Sequence, residues 1–215
     1  MSHSLAELAE AATALVPTEG RAVLGIAGAP GAGKTTLATA LVAAIAERHG
    51  TAYVAHLPMD GFHLADAQLD RLGLRERKGA PETFDADGYA ALLQRVRVET
   101  GRPVYAPCFE RTLEQPLAGA IVVPAGARLV ITEGNYLLLP REEWRRCRAG
   151  LDATWWLEVD DEERRRRLVV RHIAFGKDPE AAERWVLEVD EANAALLRAS
   201  GGPETADLVI RGAWD

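Results

Sequence analysis

The sequence predicts a three-layer α/β domain, in which a central parallel sheet of about five strands is flanked by helices. Two observations carry this prediction. Five short apolar runs, at residues 22–27, 52–57, 129–132, 154–159 and 207–210, end in a polar residue or lead into one. Between them, apolar residues recur at helical spacing, and alternating strands and helices are typical of a parallel sheet covered on both faces.

The helical patterns occur near the N-terminus, after the first run and in two later segments. Their apolar positions are Leu5, Leu8, Ala12 and Leu15; Leu37, Ala40, Leu41, Ala44 and Ile45; Tyr89, Leu92, Leu93 and Val96; and Trp185, Val189, Ala192 and Leu196. Residues 99–124 are richer in Pro and Gly and lack clear periodicity, so we predict a substrate-side hairpin or loop there. Residues 1–215 are therefore expected to form one domain.

Composition limits the partners of the protein. The 215 residues include 25 basic and 32 acidic side chains, and a net charge of −7 argues against sequence-independent binding to nucleic acid or to an anionic membrane. No apolar run approaches the roughly 20 residues of a membrane span. The two cysteines, Cys108 and Cys147, lie far apart and suit the free thiols of a reducing compartment. We expect a cytoplasmic protein, with a homodimer as the candidate assembly.

The stretch GAPGAGKTT follows the first apolar run and matches the pattern G-x-x-x-x-G-K-[ST]. In such a loop the backbone amides surround an anion, Lys34 reaches the β and γ phosphates, and the Thr35 hydroxyl binds Mg²⁺. A glycine-rich turn before a helix is the alternative, which the strand and helix context disfavours. The pattern predicts a P-loop NTPase fold that binds ATP with Mg²⁺ through Gly28, Ala29, Pro30, Gly31, Ala32, Gly33, Lys34, Thr35 and Thr36.

Carboxylates follow the second and third runs, at the edge of the sheet where ligands of open α/β folds gather. Asp60 is the candidate base that orients an acceptor hydroxyl, although an Asp-Gly pair is also common in turns. His63 could hydrogen-bond the acceptor or tie down its own loop. Glu133 could hold Mg²⁺, assist Asp60 or only support the P-loop.

An arginine-rich helix follows the fourth run. At about 100° per residue, Arg164, Arg167 and Arg171 fall within an arc of roughly 60° on one face. A basic stripe is often just a solvated face. Because this one begins beside the predicted phosphate site, we predict a helical lid at about residues 161–178, where Arg167 and Arg171 neutralise the group in transit. Asp160 and Glu163 have capping-box spacing, which favours a structural role.

Together these segments resemble the family of phosphoribulokinases, uridine kinases and bacterial-type pantothenate kinases, which are P-loop kinases of small metabolites. PMDGFH resembles the segment that bears their catalytic aspartate, here Asp60. RKGAPETFD is similar to a stretch of pantothenate kinases, PVY to a substrate-side loop, ITEGNYLL to a strand end and RLVVRH to the lid. The match is closest to a short bacterial subgroup labelled nucleoside or nucleotide kinase-like, or associated with fructose transport.

The resemblance implies a set of acceptor contacts, which are Lys78, Tyr105, Arg111 and Asn193. Arg111 comes from PCFERTLE, which parallels a Pro-x-Phe-Asp-Arg segment of the subgroup with Glu110 in place of the usual Asp. The chain lacks the long insertions of pantothenate kinases, so pantothenate is disfavoured as acceptor.

These observations predict transfer of the γ-phosphoryl group of ATP, with Mg²⁺, to a hydroxyl of a small metabolite, a sugar or nucleoside first. Three alternatives stay open: a pantothenate kinase, a nucleoside-monophosphate kinase, and a P-loop NTPase switch without an acceptor. A regulatory GTPase is disfavoured, since no Asn-Lys-x-Asp run occurs.

Overall fold

The computed structural model describes residues 3–212 and contains a five-stranded, fully parallel sheet. Its strands are β1 Ala22–Ala27, β2 Val54–Pro58, β5 Leu129–Gly134, β6 Ala153–Glu158 and β7 Leu208–Arg211. Their order across the sheet is β2–β5–β1–β6–β7. Each of the five apolar runs forms one strand, with ends that differ by no more than a few residues. The predicted α/β fold with a central parallel sheet is confirmed.

Helices cover both faces of this sheet. They are α1 Leu5–Ala14, α2 Lys34–His49, α3 Asp66–Leu72, α4 Ala86–Val98, α5 Glu142–Arg148, α6 Asp161–Ala174, α7 Pro179–Trp185, α8 Glu191–Ala199 and α9 Gly202–Thr205. Alternation along β1 sends Leu24 and Ile26 into the core with α1 and α2, whereas Val23 joins the opposite core with α4 and α5. None of the helices within residues 3–212 combines the length and apolar character needed to span a bilayer.

The segment at 99–124 forms an antiparallel hairpin of β3 Val104–Glu110 and β4 Gln115–Val123, outside the main sheet. It packs on a 3-10 turn, Met59–Phe62, that follows β2. A Cβ on Gly61 would lie 2.3 Å from the Pro107 carbonyl oxygen, so this close approach requires glycine. The hairpin is thereby held beside the end of β2.

Tyr105 points to the surface, whereas the PVY segment led us to expect it among the acceptor contacts. Its neighbours in β3, Val104 and Ala106, are buried, so strand alternation turns Tyr105 outward, where it is 60% exposed. Its partner across the hairpin is Val122.

The last helical pattern forms, but its buried face differs from the apolar positions read from the sequence. A π-helical turn, Val186–Asp190, joins α7 to α8. The buried residues of this segment include Val186, Asp190, Asn193 and Leu197. Ala192 is exposed instead. The buried positions follow ordinary helical spacing but lie one residue after the predicted ones, so Asp190 and Asn193 face inward.

Candidate active site

A cleft of about 740 Å³ opens at the carboxyl edge of the sheet, between the loop after β1, the hairpin and the helices α6 to α8. It brings together most side chains that the sequence singled out. The predicted residues that line it are Pro30, Gly31, Gly33, Lys34, Thr35, Thr36, Asp60, His63, Lys78, Arg111, Glu133, Arg167, Arg171 and Asn193. Gly28, Ala29 and Ala32 belong to the same loop without lining the cleft, and Tyr105 lies outside it.

The glycine-rich loop is a compact turn between β1 and α2. Gly31 and Gly33 have φ of +79° and +93°, a backbone conformation that favours glycine. Arg164 supports the loop from below by donating from Nη1 to the Pro30 carbonyl oxygen at 2.9 Å. The Arg164 side chain is 1% exposed, so it does not belong to the exposed basic face of the helix, and its role is structural.

Lys34 begins α2 and is buried at the floor of the cleft. Its Nζ donates to the carbonyl oxygens of Gly28 and Ala29, both at 3.0 Å, and to Asn135 Oδ1 at 2.6 Å. Burial lowers the pKa of Lys34 to about 8, against the attraction of Glu133 and Asp60. Sequence reasoning missed Asn135, although it directly follows the strand end that bears Glu133.

Glu133 is the penultimate residue of β5, and it accepts a hydrogen bond from Thr35 Oγ1 at 2.9 Å. Burial, and then the charge of Asp60, raises the pKa of Glu133 to about 7. His56 Nε2 lies 4.0 Å from the same carboxylate, and burial lowers the pKa of His56 to about 4, so the ring is neutral. The positive charges that act on Glu133 are those of Lys34 and, more weakly, Arg111, and they do not offset the effect of burial.

The Thr35 and Glu133 oxygens fit the requirements of Mg²⁺. Protein sites for this ion usually supply only one or two oxygen ligands, and the nucleotide phosphates and water supply the rest. Within residues 3–212 no cluster of three or more His, Cys, Asp or Glu side chains forms a metal cage. A hydroxyl and a poorly compensated carboxylate at the mouth of the P-loop suit a cation that arrives with the nucleotide.

Asp60 lies on the 3-10 turn after β2 and faces the cleft. Arg111 Nη2 donates to Asp60 Oδ2 at 3.4 Å. The backbone carbonyl of Asp60 accepts from His63, through its amide at 3.2 Å and through ring Nδ1 at 2.8 Å. His63 thus ties down the loop that carries Asp60, and burial lowers the pKa of its ring.

Lys78 links α3 to the turn of the hairpin. Its Nζ donates to Asp66 Oδ1 at 2.7 Å and to the Glu114 carbonyl oxygen at 2.5 Å. Arg75 pairs with the other Asp66 oxygen at 2.8 Å. The two cations therefore share the Asp66 carboxylate, and Lys78 holds the hairpin that presents Arg111.

Helix α6 begins after β6 and carries the predicted lid arginines along the cleft. Asp160 caps the helix by accepting from the amides of Glu162 at 2.9 Å and Glu163 at 3.2 Å. The Glu163 side chain instead accepts from Arg167 Nε at 2.8 Å, so the capping box is incomplete. Hydrogen bonds from Arg166 and Arg167 lower the pKa of Glu163 to about 2. Across the part of the chain that the structure describes, Arg171 forms no ion pair.

The π turn and α8 form another wall of the cleft. Asn193 Nδ2 donates to the Gly79 carbonyl oxygen at 3.4 Å, and that oxygen also accepts from the Tyr136 hydroxyl. Asp190 Oδ2 contacts His172 Nε2 at 2.8 Å. Sequence reasoning found Asn193 through the resemblance but missed Asp190 and His172.

Comparison with known proteins agrees with this geometry. Residues 23–142 match the model of the phosphoribulokinase/uridine kinase family. A candidate uridine kinase of Schizosaccharomyces pombe is 37% identical over 185 residues, which cover 83% of this chain and 79% of the relative.

Solved structures give the same result. A candidate fructose transport system kinase of Silicibacter sp. TM1040 superposes with a TM-score of 0.88 at 35% identity, covering 98% of this chain and all of the other. YFH7 of Saccharomyces cerevisiae superposes with a TM-score of 0.82 over 99% of both chains, but its 17% identity shows the shared fold alone.

Proposed function

The chain belongs to the phosphoribulokinase/uridine kinase family of P-loop kinases, and from this premise we propose that it transfers the γ-phosphoryl group of ATP to a hydroxyl of a small polar metabolite. A sugar or a nucleoside is the favoured acceptor. One observation carries the proposal: a carboxylate, Asp60, shares a single cleft with the P-loop lysine, Lys34.

Asp60 would accept the proton of the attacking hydroxyl. Phosphoryl transfer requires that the hydroxyl be oriented in line with the γ phosphate and lose its proton during attack. Arg111 Nη2 lies 3.4 Å from Asp60 Oδ2 and helps to hold the carboxylate in place. His63 fixes the loop from behind, so the position of the base does not depend on the acceptor.

The P-loop amides and Lys34 would hold the triphosphate, and Thr35 and Glu133 would bind Mg²⁺. When bound, the ion neutralises phosphate charge and aligns the terminal phosphate. Lys34 now donates to two loop carbonyls and Asn135, and its ammonium would turn toward the phosphates.

Arg171 and Arg167 would stabilise charge on the phosphoryl group in transit. Both line the cleft from α6, and Arg171 has no carboxylate partner within residues 3–212. A guanidinium that is not matched by an acidic side chain keeps its full attraction for an anion.

The test is a coupled assay of ADP release with Asp60→Asn. The substitution keeps the shape of the side chain but removes the proton acceptor, so we expect acceptor-dependent turnover to fall by about 100-fold or more. ATP binding should change less than threefold. Asp87→Asn is the matched control, because Asp87 is exposed and, within residues 3–212, forms an ion pair only with Arg146, outside the cleft.

Two results would contradict the proposal. If Asp60→Asn kept full turnover, Asp60 would not be the proton acceptor. ATP hydrolysis by the wild type that no acceptor accelerates would instead favour a nucleotide switch.

A further inference from the structure

A buried polar atom beside the proposed magnesium ligands has no role in the transfer described above. It is Nε2 of His56, a residue of β2 whose side chain is 22% exposed. Nε2 itself is buried and has no hydrogen-bond partner within residues 3–212. A buried polar atom without a partner costs free energy, so its presence requires an explanation.

Packing alone does not explain a histidine at this position. Strand alternation turns Val54 and His56 to the same face of β2, and Val54 is buried in the core that includes α1 and α2. Ile131, the partner of His56 on β5, belongs to the same core. An aliphatic side chain at residue 56 would continue this core and leave no hydrogen bond unmet.

The nearest acidic group to Nε2 is the carboxylate of Glu133. In the register of β2 and β5, Glu133 pairs with Pro58, two residues after His56, so its side chain lies on the same face of the sheet as the imidazole. Nε2 is 4.0 Å from Glu133 Oε1. This distance is about 1 Å longer than a hydrogen bond, and a small adjustment of either side chain closes it.

The two carboxylate oxygens of Glu133 have different surroundings. Oε1 accepts from Thr35 Oγ1 at 2.9 Å and is the oxygen that His56 approaches. Oε2 accepts no hydrogen bond from the part of the chain that the structure describes, and Glu133 lines the cleft. Since Thr35 and His56 both meet one oxygen, the other is left for a cation at the mouth of the P-loop.

From this geometry we propose that His56 is a positioning residue of the magnesium site, which donates from Nε2 to Glu133 Oε1 and so presents Oε2 to the ion. A neutral imidazole can do this, because one of its nitrogens carries a proton. Groups that hydrogen-bond a metal-ligating carboxylate commonly contribute about 10- to 100-fold to metal affinity. The inference rests on the proposed role of Glu133 as a magnesium ligand and adds the residue that orients it.

The test is a calorimetric measurement of Mg²⁺ affinity in the presence of a non-hydrolysable ATP analogue. His56→Leu removes the donor, and we expect it to weaken Mg²⁺ binding by about 10-fold or more. His56→Gln places an amide N–H near the position of Nε2 and should stay within about threefold of the wild type. Binding of the analogue without Mg²⁺ should not change in either variant, a split that a general structural defect would not produce.

His49→Leu is the matched control, because His49 is exposed at the end of α2, outside the cleft. Thermal melts should show no loss of stability in His56→Leu, since the substitution removes a buried group that lacks a partner. His56→Asn, whose amide is too short to reach Glu133, replaces His56→Leu if that variant does not fold. Nitrogen NMR of the wild type should show the ring proton of His56 on Nε2.

Glu133→Gln, measured alongside, separates this inference from the proposed function. If Glu133→Gln weakens Mg²⁺ binding while His56→Leu binds the ion as tightly as the wild type, the inference fails and the metal site stands. Equal losses in His56→Leu and His56→Gln, or a ring proton on Nδ1, would also overturn the inference. If the wild type bound no Mg²⁺ with the analogue, the proposed function itself would fail, and the role of His56 with it.

Discussion

Replacing Arg164 by alanine should destabilise the protein far more than a surface substitution does. The guanidinium is 1% exposed and donates to the Pro30 carbonyl oxygen at 2.9 Å and to Asp161 Oδ1 at 2.8 Å. It also pairs with Glu191 of α8. Removing it leaves a buried carbonyl and a mostly buried carboxylate without their main donor.

The magnitude follows from the partners that remain. Breaking a buried ion pair by removing one member costs about 3–5 kcal/mol. Arg198 keeps a 2.9 Å contact with Asp161, and Arg165 lies 3.0 Å from Glu191, so we expect the lower end of the range. For a chain of 215 residues, about 3 kcal/mol lowers the Tm by roughly 6–12 °C.

Urea unfolding followed by circular dichroism measures the effect. Arg166→Ala is the matched control on the same helix, because Arg166 is 68% exposed and its pair with Glu163 is worth at most about 1 kcal/mol. If the two variants lost the same stability, within about 1 kcal/mol, the buried network would not have the role assigned to it. Weaker ATP binding by Arg164→Ala should accompany the loss, since Pro30 belongs to the P-loop.

Two further predictions concern Glu133 and Tyr105. The raised pKa of Glu133 means that the folded state binds the proton of this carboxyl more tightly than the unfolded state does. The stability that this proton binding gives the fold is fully present below about pH 4.5 and is lost as the pH rises through about 7. Glu133→Gln should therefore stabilise the ligand-free protein at pH 8, by up to about 3 kcal/mol at roughly 1.4 kcal/mol per pKa unit, and leave it unchanged near pH 4.5. Thermal melts at both pH values measure this, with the exposed Glu142→Gln as control, and equal stability at pH 8 would contradict it. Tyr105→Ser should change the acceptor KM less than twofold, because Tyr105 lies outside the cleft. A tenfold rise of the acceptor KM would show that Tyr105 contacts the acceptor after all.

The strands and the phosphate loop could be predicted because their signals are local. A short apolar run bounded by turn residues favours a buried strand, and β1 begins and ends at the predicted residues. The carboxyl ends of parallel strands meet at one edge, so Lys34, Asp60 and Glu133 could be grouped without coordinates.

The acceptor side could not be predicted in the same way. A resemblance of the PVY segment says nothing about which way Tyr105 points, and the burial of Val104 and Ala106 decides that. Asp190 looks like an exposed polar helix position, because the apolar residues Trp185, Val189 and Leu196 suggest a different inward face. The structure buries Val186, Asp190 and Leu197 instead, and polarity alone could not reveal that an acidic side chain lies on the buried side.

The electrostatics of the floor of the cleft indicate what the site is built to receive. Burial opposes the charge of both Lys34 and Glu133, as the lowered pKa of one and the raised pKa of the other show. A triphosphate would bring negative charge to Lys34, and a divalent cation would bring positive charge to Glu133 and Asp60. Each charge that costs stability in the free protein then gains a partner when nucleotide and metal bind together. A phosphate alone or a cation alone would satisfy only one of the two sides, so the arrangement favours joint binding of nucleotide and metal.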